Sequence, residues 1–378
     1  MGTVTTKPDS ERVARLVDRA RREVDDGLLP AVQIAVGLDG EIVLDETFGA
    51  DPSSRFVPFS CTKAIVAGAV WRLIDDGSLD VSKPVADYLP EFGTNGKEGV
   101  TVEHVLLHTG GFPFAPLGPG RWGTEEGRRS AYAKWRLNFE PGQTFMYHPT
   151  AGHWVLVSLI ETLVGEPYGD AIHRMVTEPL GLPRLLGIPV AEQEGIQPVV
   201  AVGEPATADD LAASGLPAEM TGGVPVDVAM QALLTLNDPE ALAVGVPGGG
   251  GVVRATDLAL LYQGYLHDPA GLWSPEVLVE GTAHVRNMLP DMFGTPASRT
   301  LGLVVAGEDG LSARRGMGAT VSPRAFGHNG AGGQIAFADP ASGLSVVYLT
   351  SGLDQNLIRE QRRVTAVASL AADLLAAD

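Results

Sequence analysis

The two ends of the chain carry matching patterns, and this pairing restricts the fold more than any other feature. Near the start, Ser10–Asp26 reads as an amphipathic helix with Val13, Leu16, Val17, Ala20 and Val24 on one stripe. It leads into "AVQIAVGLDGEIVLDETFG", two apolar runs joined at Asp39–Gly40, a dipeptide that favours a tight β-hairpin. Near the end, "GGQIAFADPASGLSVVYLTSG" holds two further strands around a Pro/Ser/Gly turn. A helix is expected from about Asp354, with Leu357, Ile358, Val364, Val367, Leu370, Leu374 and Leu375 facing one way. One antiparallel sheet built from both termini, with a mostly helical region inserted between them, satisfies both ends together. The fold class expected is therefore α+β. Residues 1–75 and 245–378 form the sheet-containing part and residues 76–244 the helical insertion, with a cleft between. The stretch from about Gly187 to Pro247 is rich in Pro, Gly and Ala, and reads as loops and short helices near that cleft.

The chain's 378 residues suffice for a substantial core, and 44% hydrophobic against 19% charged residues is ordinary for a globular enzyme. A net charge of −19 argues against nucleic acid as partner, since phosphate binding needs a basic face. The one cysteine, Cys61, precludes an internal disulfide or a thiolate metal cluster. No run of 18 apolar residues suggests a membrane span, and the N-terminus lacks the apolar core of a secretory signal. "MGTVTT" matches a loose acylation pattern through Gly2 and Thr6, too short to weigh against a cytoplasmic expectation.

Within "VPFSCTKAIVAGAVWRLIDDGSLD", Ser60 and Lys63 stand three residues apart at the mouth of an apolar helix whose stripe is Ile65, Val66, Ala69, Val70, Leu73 and Ile74. Lysine is scarce here, 5 residues against 22 arginines. A lysine buried against such a helix loses proton affinity, so it could serve as base for a serine nucleophile. Free N–H groups at the helix start would then stabilise an oxyanion. Also open on this motif alone is an N-cap serine beside a solvated lysine.

Two further stretches bear on the choice. In "EPGQTFMYHPTAGHWVLVSLIETLVG", Tyr147 stands in a loop before an apolar helix, where an adjacent ammonium would ease its ionisation and let it relay a proton. In "GHNGAGGQIAFAD", glycines 330, 332 and 333 open a strand and permit close approach of a ligand. Each also has a bland alternative, a core tyrosine and a tight turn.

Together, Ser-x-x-Lys, a tyrosine element after Pro-Gly and a late glycine triplet, in that order, resemble the serine β-lactamase and penicillin-binding protein superfamily. "VLLHTGGFP" (105–113) and "PGGGGVVRATDLALL" (247–261) resemble two more of its stretches, so the likeness runs from about residue 10 to 355. Within the superfamily the chain is most similar to class-C-like esterases, the family VIII carboxylesterases. The resemblance implies Ser60 as acylated nucleophile, Lys63 as its base and Tyr147 as proton relay. It implies the N–H groups of Ser60 and Ala331 as oxyanion hole, with His328, Asn329, Gly330, His148 and Pro149 lining the substrate. It implies a small-molecule ester as substrate and no cofactor. Oligomeric state is left undefined.

Two departures bear on the substrate. Where the lactamases and peptidases usually carry an amide-bearing Asn, this chain has Pro149, which has no side-chain donor. Where their late triplet is Lys-led, it has His328, mostly neutral at pH 7. A site lacking that amide and a fixed cation should favour neutral esters over β-lactams or D-amino-acid peptides, with acyl transfer to alcohols as a further outcome. A non-catalytic sensor on the same scaffold is the remaining alternative. Glu103, His104 and His108 provide a His pair without a persuasive third metal ligand. No Walker lysine follows the glycine runs, and no Gly-x-Ser-x-Gly elbow occurs.

Overall fold

Asp39 and Gly40 both adopt left-handed backbone, with φ of 53° and 82°. That is the geometry a two-residue type I′ turn demands, and it joins β1 (Val32–Leu38) to β2 (Glu41–Phe48). This is a computed structural model, and it describes residues 7–214 and 226–375. Gly2 and Thr6 of the amino-terminal pattern lie outside the described residues, as does part of the Gly187–Pro247 stretch.

Four later strands complete the sheet: β3 (Val304–Val305), β4 (Phe326–Gly330), β5 (Gln334–Asp339) and β6 (Leu344–Thr350). The spatial order is β2-β1-β6-β5-β4-β3, antiparallel throughout. The first hairpin thus pairs directly with the last long strand, as the mirrored termini require.

Side-chain alternation along the strands divides the core in two. One face presents Val32, Ile34, Val36, Ile335, Phe337, Val346 and Tyr348 to α1 (Ser10–Asp25) and to the C-terminal helix. The other presents smaller groups, among them Ala35, Ala336 and Ala338, to a larger core that includes α2 (Thr62–Asp75). In the same core lie α3 (Ala151–Val164) and α4 (Ala255–His267), and the small residues let α4 pack close to the sheet. Between β2 and residue 199 the described residues contain helices and turns but no strand, in keeping with a helical insertion.

Three local expectations change. The C-terminal helix, α5 (Leu357–Ala372), starts at Leu357 with Asn356 as its cap, because Asp354 ends a short strand, Gly352–Asp354, paired in parallel with Val200–Val202. Leu357 is exposed, whereas Val364, Val367 and Leu374 are buried as expected. α2 shows no single apolar stripe: residues 62–71 are buried all round, since the helix runs through the interior. Finally, Ser60 is not an N-cap. It sits in a 3₁₀ turn, Phe59–Cys61, one step before α2. Among the described residues no helix is long and apolar enough to cross a membrane.

Glu360, half-buried on α5, has its carboxyl pushed up to about 7, mainly by burial, against the opposing pull of Arg363. Its protonated form is favoured in the native state, so its contribution is complete below the ordinary carboxylate range and lost as pH rises through 7. Glu360→Gln should therefore stabilise the protein at pH 8 by on the order of 1 kcal/mol, and have little effect at pH 4. Thermal melts at the two pH values measure the difference.

Candidate active site

Phe59, immediately before Ser60, holds a φ of +45°, a strained backbone for a bulky residue. The strain projects Ser60 from the 3₁₀ turn while Phe59 itself is buried at 2% exposure. One helical turn on, Lys63 is fully buried. Its Nζ lies 3.2 Å from Ser60 Oγ, and donates to the carbonyl oxygens of Pro149 at 2.8 Å and Gly248 at 2.6 Å. Tyr147 completes the set, its hydroxyl donating to Ser60 Oγ at 2.9 Å. Three side chains spread over 88 positions of sequence thus meet at one oxygen.

The hydrogen-bond partners fix the amine's orientation. Carbonyl oxygens only accept, so the two around Lys63 consume two N–H bonds. The third position on the nitrogen faces Ser60 Oγ, a hydroxyl that can accept an N–H bond or donate its own proton. Burial independently holds the Lys63 amine well below its ordinary value of 10.5, aided by the Arg299 guanidinium and opposed by Cys61. The expectation for Tyr147 is reversed. Burial pushes its phenol up to about 12, outweighing the downward pull of Arg299 and the bond to Ser60. Tyr147 is a protonated donor at neutral pH, because loss of hydration costs the phenolate more than a nearby cation returns.

Gly248 is dictated by this arrangement. A Cβ there would lie 2.5 Å from the Pro149 carbonyl oxygen, so only glycine lets both carbonyls converge on one amine. The same glycine run reaches α2 again where Gly251 N–H donates to Thr62 Oγ1 at 3.0 Å.

Other residues named from the sequence divide by strand geometry and by partner. His328 is buried with its ring tilted against that of Tyr147, centroids 5.9 Å apart. Its Nδ1 donates to the Asn329 carbonyl at 2.7 Å, leaving Nε2 as acceptor. The ring is neutral, its proton affinity reduced by burial and by Arg299. Asn329 is exposed, and strand alternation turns its side chain to the face opposite His328. Gly330 and Ala331 form the entry to the turn before β5. His148 is fully buried with both ring nitrogens engaged, Nδ1 with the Met146 carbonyl at 2.6 Å and Nε2 accepting from Phe112 N–H at 3.1 Å. That leaves no polar group for a substrate. Pro149 contributes through its backbone oxygen.

Sequence reasoning missed Arg299. It follows Ser298, which has a φ of +49°, and is tied to Asn287 by backbone hydrogen bonds. Its guanidinium is buried 5.3 Å above the Tyr147 ring and 5.4 Å above that of Phe145, with one nitrogen 3.5 Å from His328 Nε2. Among the described residues no carboxylate pairs with it. Burial pulls it down to about 10, so it remains charged at neutral pH. The expectation of a site without a fixed cation is overturned. No spacing rule marks Arg299, since backbone pairing with Asn287 brings it in from outside every motif. The Gly248 and Pro149 carbonyls were missed as well, because backbone acceptors leave no trace in side-chain identity. Of the His pair, His104 caps a short helix, its Nδ1 accepting from Thr101 N–H at 3.2 Å.

The fold is that of the serine hydrolases built on a lactamase scaffold. The chain belongs to the β-lactamase family, whose model matches residues 14–369. It is 27% identical over 358 residues to an esterase/beta-lactamase, LipL, of Mycobacterium tuberculosis, covering 86% of this chain and 78% of that one. A penicillin-binding protein homolog from Caulobacter crescentus superposes with a TM-score of 0.75 at 25% identity, covering 97% of this chain and 99% of the other. A family VIII carboxylesterase does so at 0.74 and 23%, covering 95% and 97%, a likeness of fold.

Gly248→Ala tests the carbonyl cage. The added methyl must displace Pro149 or Gly248, loosening Lys63, and turnover should fall roughly a hundredfold, as misplacement by about an ångström commonly does. Steady-state kinetics alongside a thermal melt would show whether the loss comes with little change in stability.

Proposed function

We propose that this protein is a carboxylesterase that cleaves short-acyl esters through an acyl-Ser60 intermediate. The observation that carries the reading is the Lys63 amine, buried with two carbonyl acceptors and the Ser60 hydroxyl at 3.2 Å. Lys63 takes the hydroxyl proton as Ser60 Oγ bonds to the ester carbonyl carbon. The oxyanion that forms faces the N–H groups of Ser60 and Ala331. Tyr147 gives its proton to the departing alkoxide and recovers one from Lys63, so alcohol leaves and the acyl-enzyme remains. Its high proton affinity suits it to this role, since the phenolate is short-lived. Water, or an alcohol in an acyl transfer, then attacks with the proton movements reversed. Ser60 and Lys63 come from the part containing residues 1–75 and 245–378, and Tyr147 from the insertion, which supports a site in the cleft between them.

The experiment is direct. Ser60→Ala should abolish hydrolysis of a p-nitrophenyl ester while leaving the melting temperature close to that of wild type. Intact-mass measurement on wild type should show an acyl adduct on Ser60 that forms and decays. Retained turnover in Ser60→Ala removes the mechanism, and absence of any adduct favours the sensor alternative.

Arg299 supports a second reading, a β-lactamase or D-amino-acid peptidase, because it restores a cation that could face a substrate carboxylate. Pro149 still lacks the amide such substrates usually meet, so ester turnover is expected to exceed nitrocefin turnover by at least about tenfold. Comparable rates would reverse the order of the two readings.

Arg299 also has a pH signature. Its charge lowers the Lys63 proton affinity, so Arg299→Met should raise that affinity and move the acidic limb of the kcat/KM profile to higher pH. A profile that stays in place would show that burial alone tunes the amine.

A further inference from the structure

An oxyanion hole made from Ser60 and Ala331 draws its two N–H groups from segments far apart in the chain, and something must fix their separation. The Ala331 N–H donates to no acceptor among the described residues, as a free oxyanion donor should. Three contacts join the two segments closely. Cys61 Sγ lies 3.2 Å from the His328 carbonyl oxygen. Gly330 packs so near the Pro58 carbonyl oxygen that a Cβ would lie 2.3 Å from it. The third contact is made by Gln334, the first residue of β5 and fully buried. Its Nε2 donates to the Val57 carbonyl, three residues before the nucleophile, at 2.9 Å, and reaches the Ala331 carbonyl at 3.5 Å. Both partners are carbonyls, so the side chain's orientation is unambiguous: nitrogen must face them.

We propose that Gln334 is the positioning residue of the oxyanion hole, its amide clamping the Ser60 segment to the Ala331 turn. This rests on the acyl-Ser60 reading and goes beyond it. The rest of the amide supports a functional explanation. Gln334 Oε1 is buried without a hydrogen-bond partner among the described residues, a cost that an apolar side chain of the same size would avoid. Of the three contacts, Gln334 is also the only one that bonds to both segments through a single rigid group. From behind, Arg363 Nη2 donates to the Gly332 carbonyl at 3.2 Å, so the turn is held on its other side as well. Cutting the clamp leaves the nucleophile and its base in place but frees the spacing of the two N–H groups.

The test compares an ester with its thionoester, in which sulfur replaces the carbonyl oxygen and is held poorly by the same N–H pair. Gln334→Met should lower kcat for the ester roughly ten- to a hundredfold, within the range for a compromised oxyanion hole, with KM nearly unchanged. The thionoester rate should hardly move, so the preference for the oxygen ester collapses. A merely structural role would lower both rates alike and leave that preference intact, and this result overturns the proposal. If Gln334→Met does not fold, Gln334→Asn, whose shorter side chain keeps an amide that falls short of Val57, takes the same measurement. An active Ser60→Ala would remove the acyl-serine reading and this proposal together. An unaltered ester preference beside an inactive Ser60→Ala removes the clamp alone.

Discussion

A primary amine sealed from water between two backbone carbonyls is the constraint on which the rest of this site depends. Burying a lysine as a cation without a counter-ion is expensive, and the protein meets that cost by lowering the amine's proton affinity. Two consequences follow from the same geometry. The carbonyls of Pro149 and Gly248 hold the amine against Ser60, and they do so only because residue 248 has no side chain. The interior position of α2, buried on all sides, is what removes the water in the first place.

The charges around that amine work as a set. Arg299 lies against Tyr147 and His328 without an acidic partner among the described residues, so its field acts on several titratable groups nearby. It depresses Lys63, His328, His108 and His153, and pulls against burial at Tyr147. The site therefore holds one fixed cation, an amine of lowered proton affinity and a protonated phenol. In the family's usual pattern the cation belongs to the late glycine triplet. Here a neutral imidazole occupies that place, and the charge comes from a separate segment paired with Asn287.

Much of this was legible in the sequence, and its limits have physical causes. The Asp39–Gly40 turn, the antiparallel strands at both ends and the helix after Ser60 are local, because turn chemistry and side-chain period act over a few residues. The start of α5 was misplaced because Asp354 joins a strand whose partner, Val200–Val202, lies more than 150 positions away. His148 and Asn329 were assigned to the substrate by their neighbours in sequence, yet ring contacts and strand alternation turn them elsewhere.

By itself the sequence determined the element types, the mirrored ends of the sheet, the family and the identity of the Ser-x-x-Lys pair, since each depends on spacing within a short window. Only the tertiary structure decided the surroundings of that pair. Proton affinity depends on which atoms surround a group and how much water they exclude, and those atoms come from residues 147–149, 248 and 299, brought together by packing. The same reason reversed the expectation for Tyr147, whose neighbours in sequence carry no information about its burial.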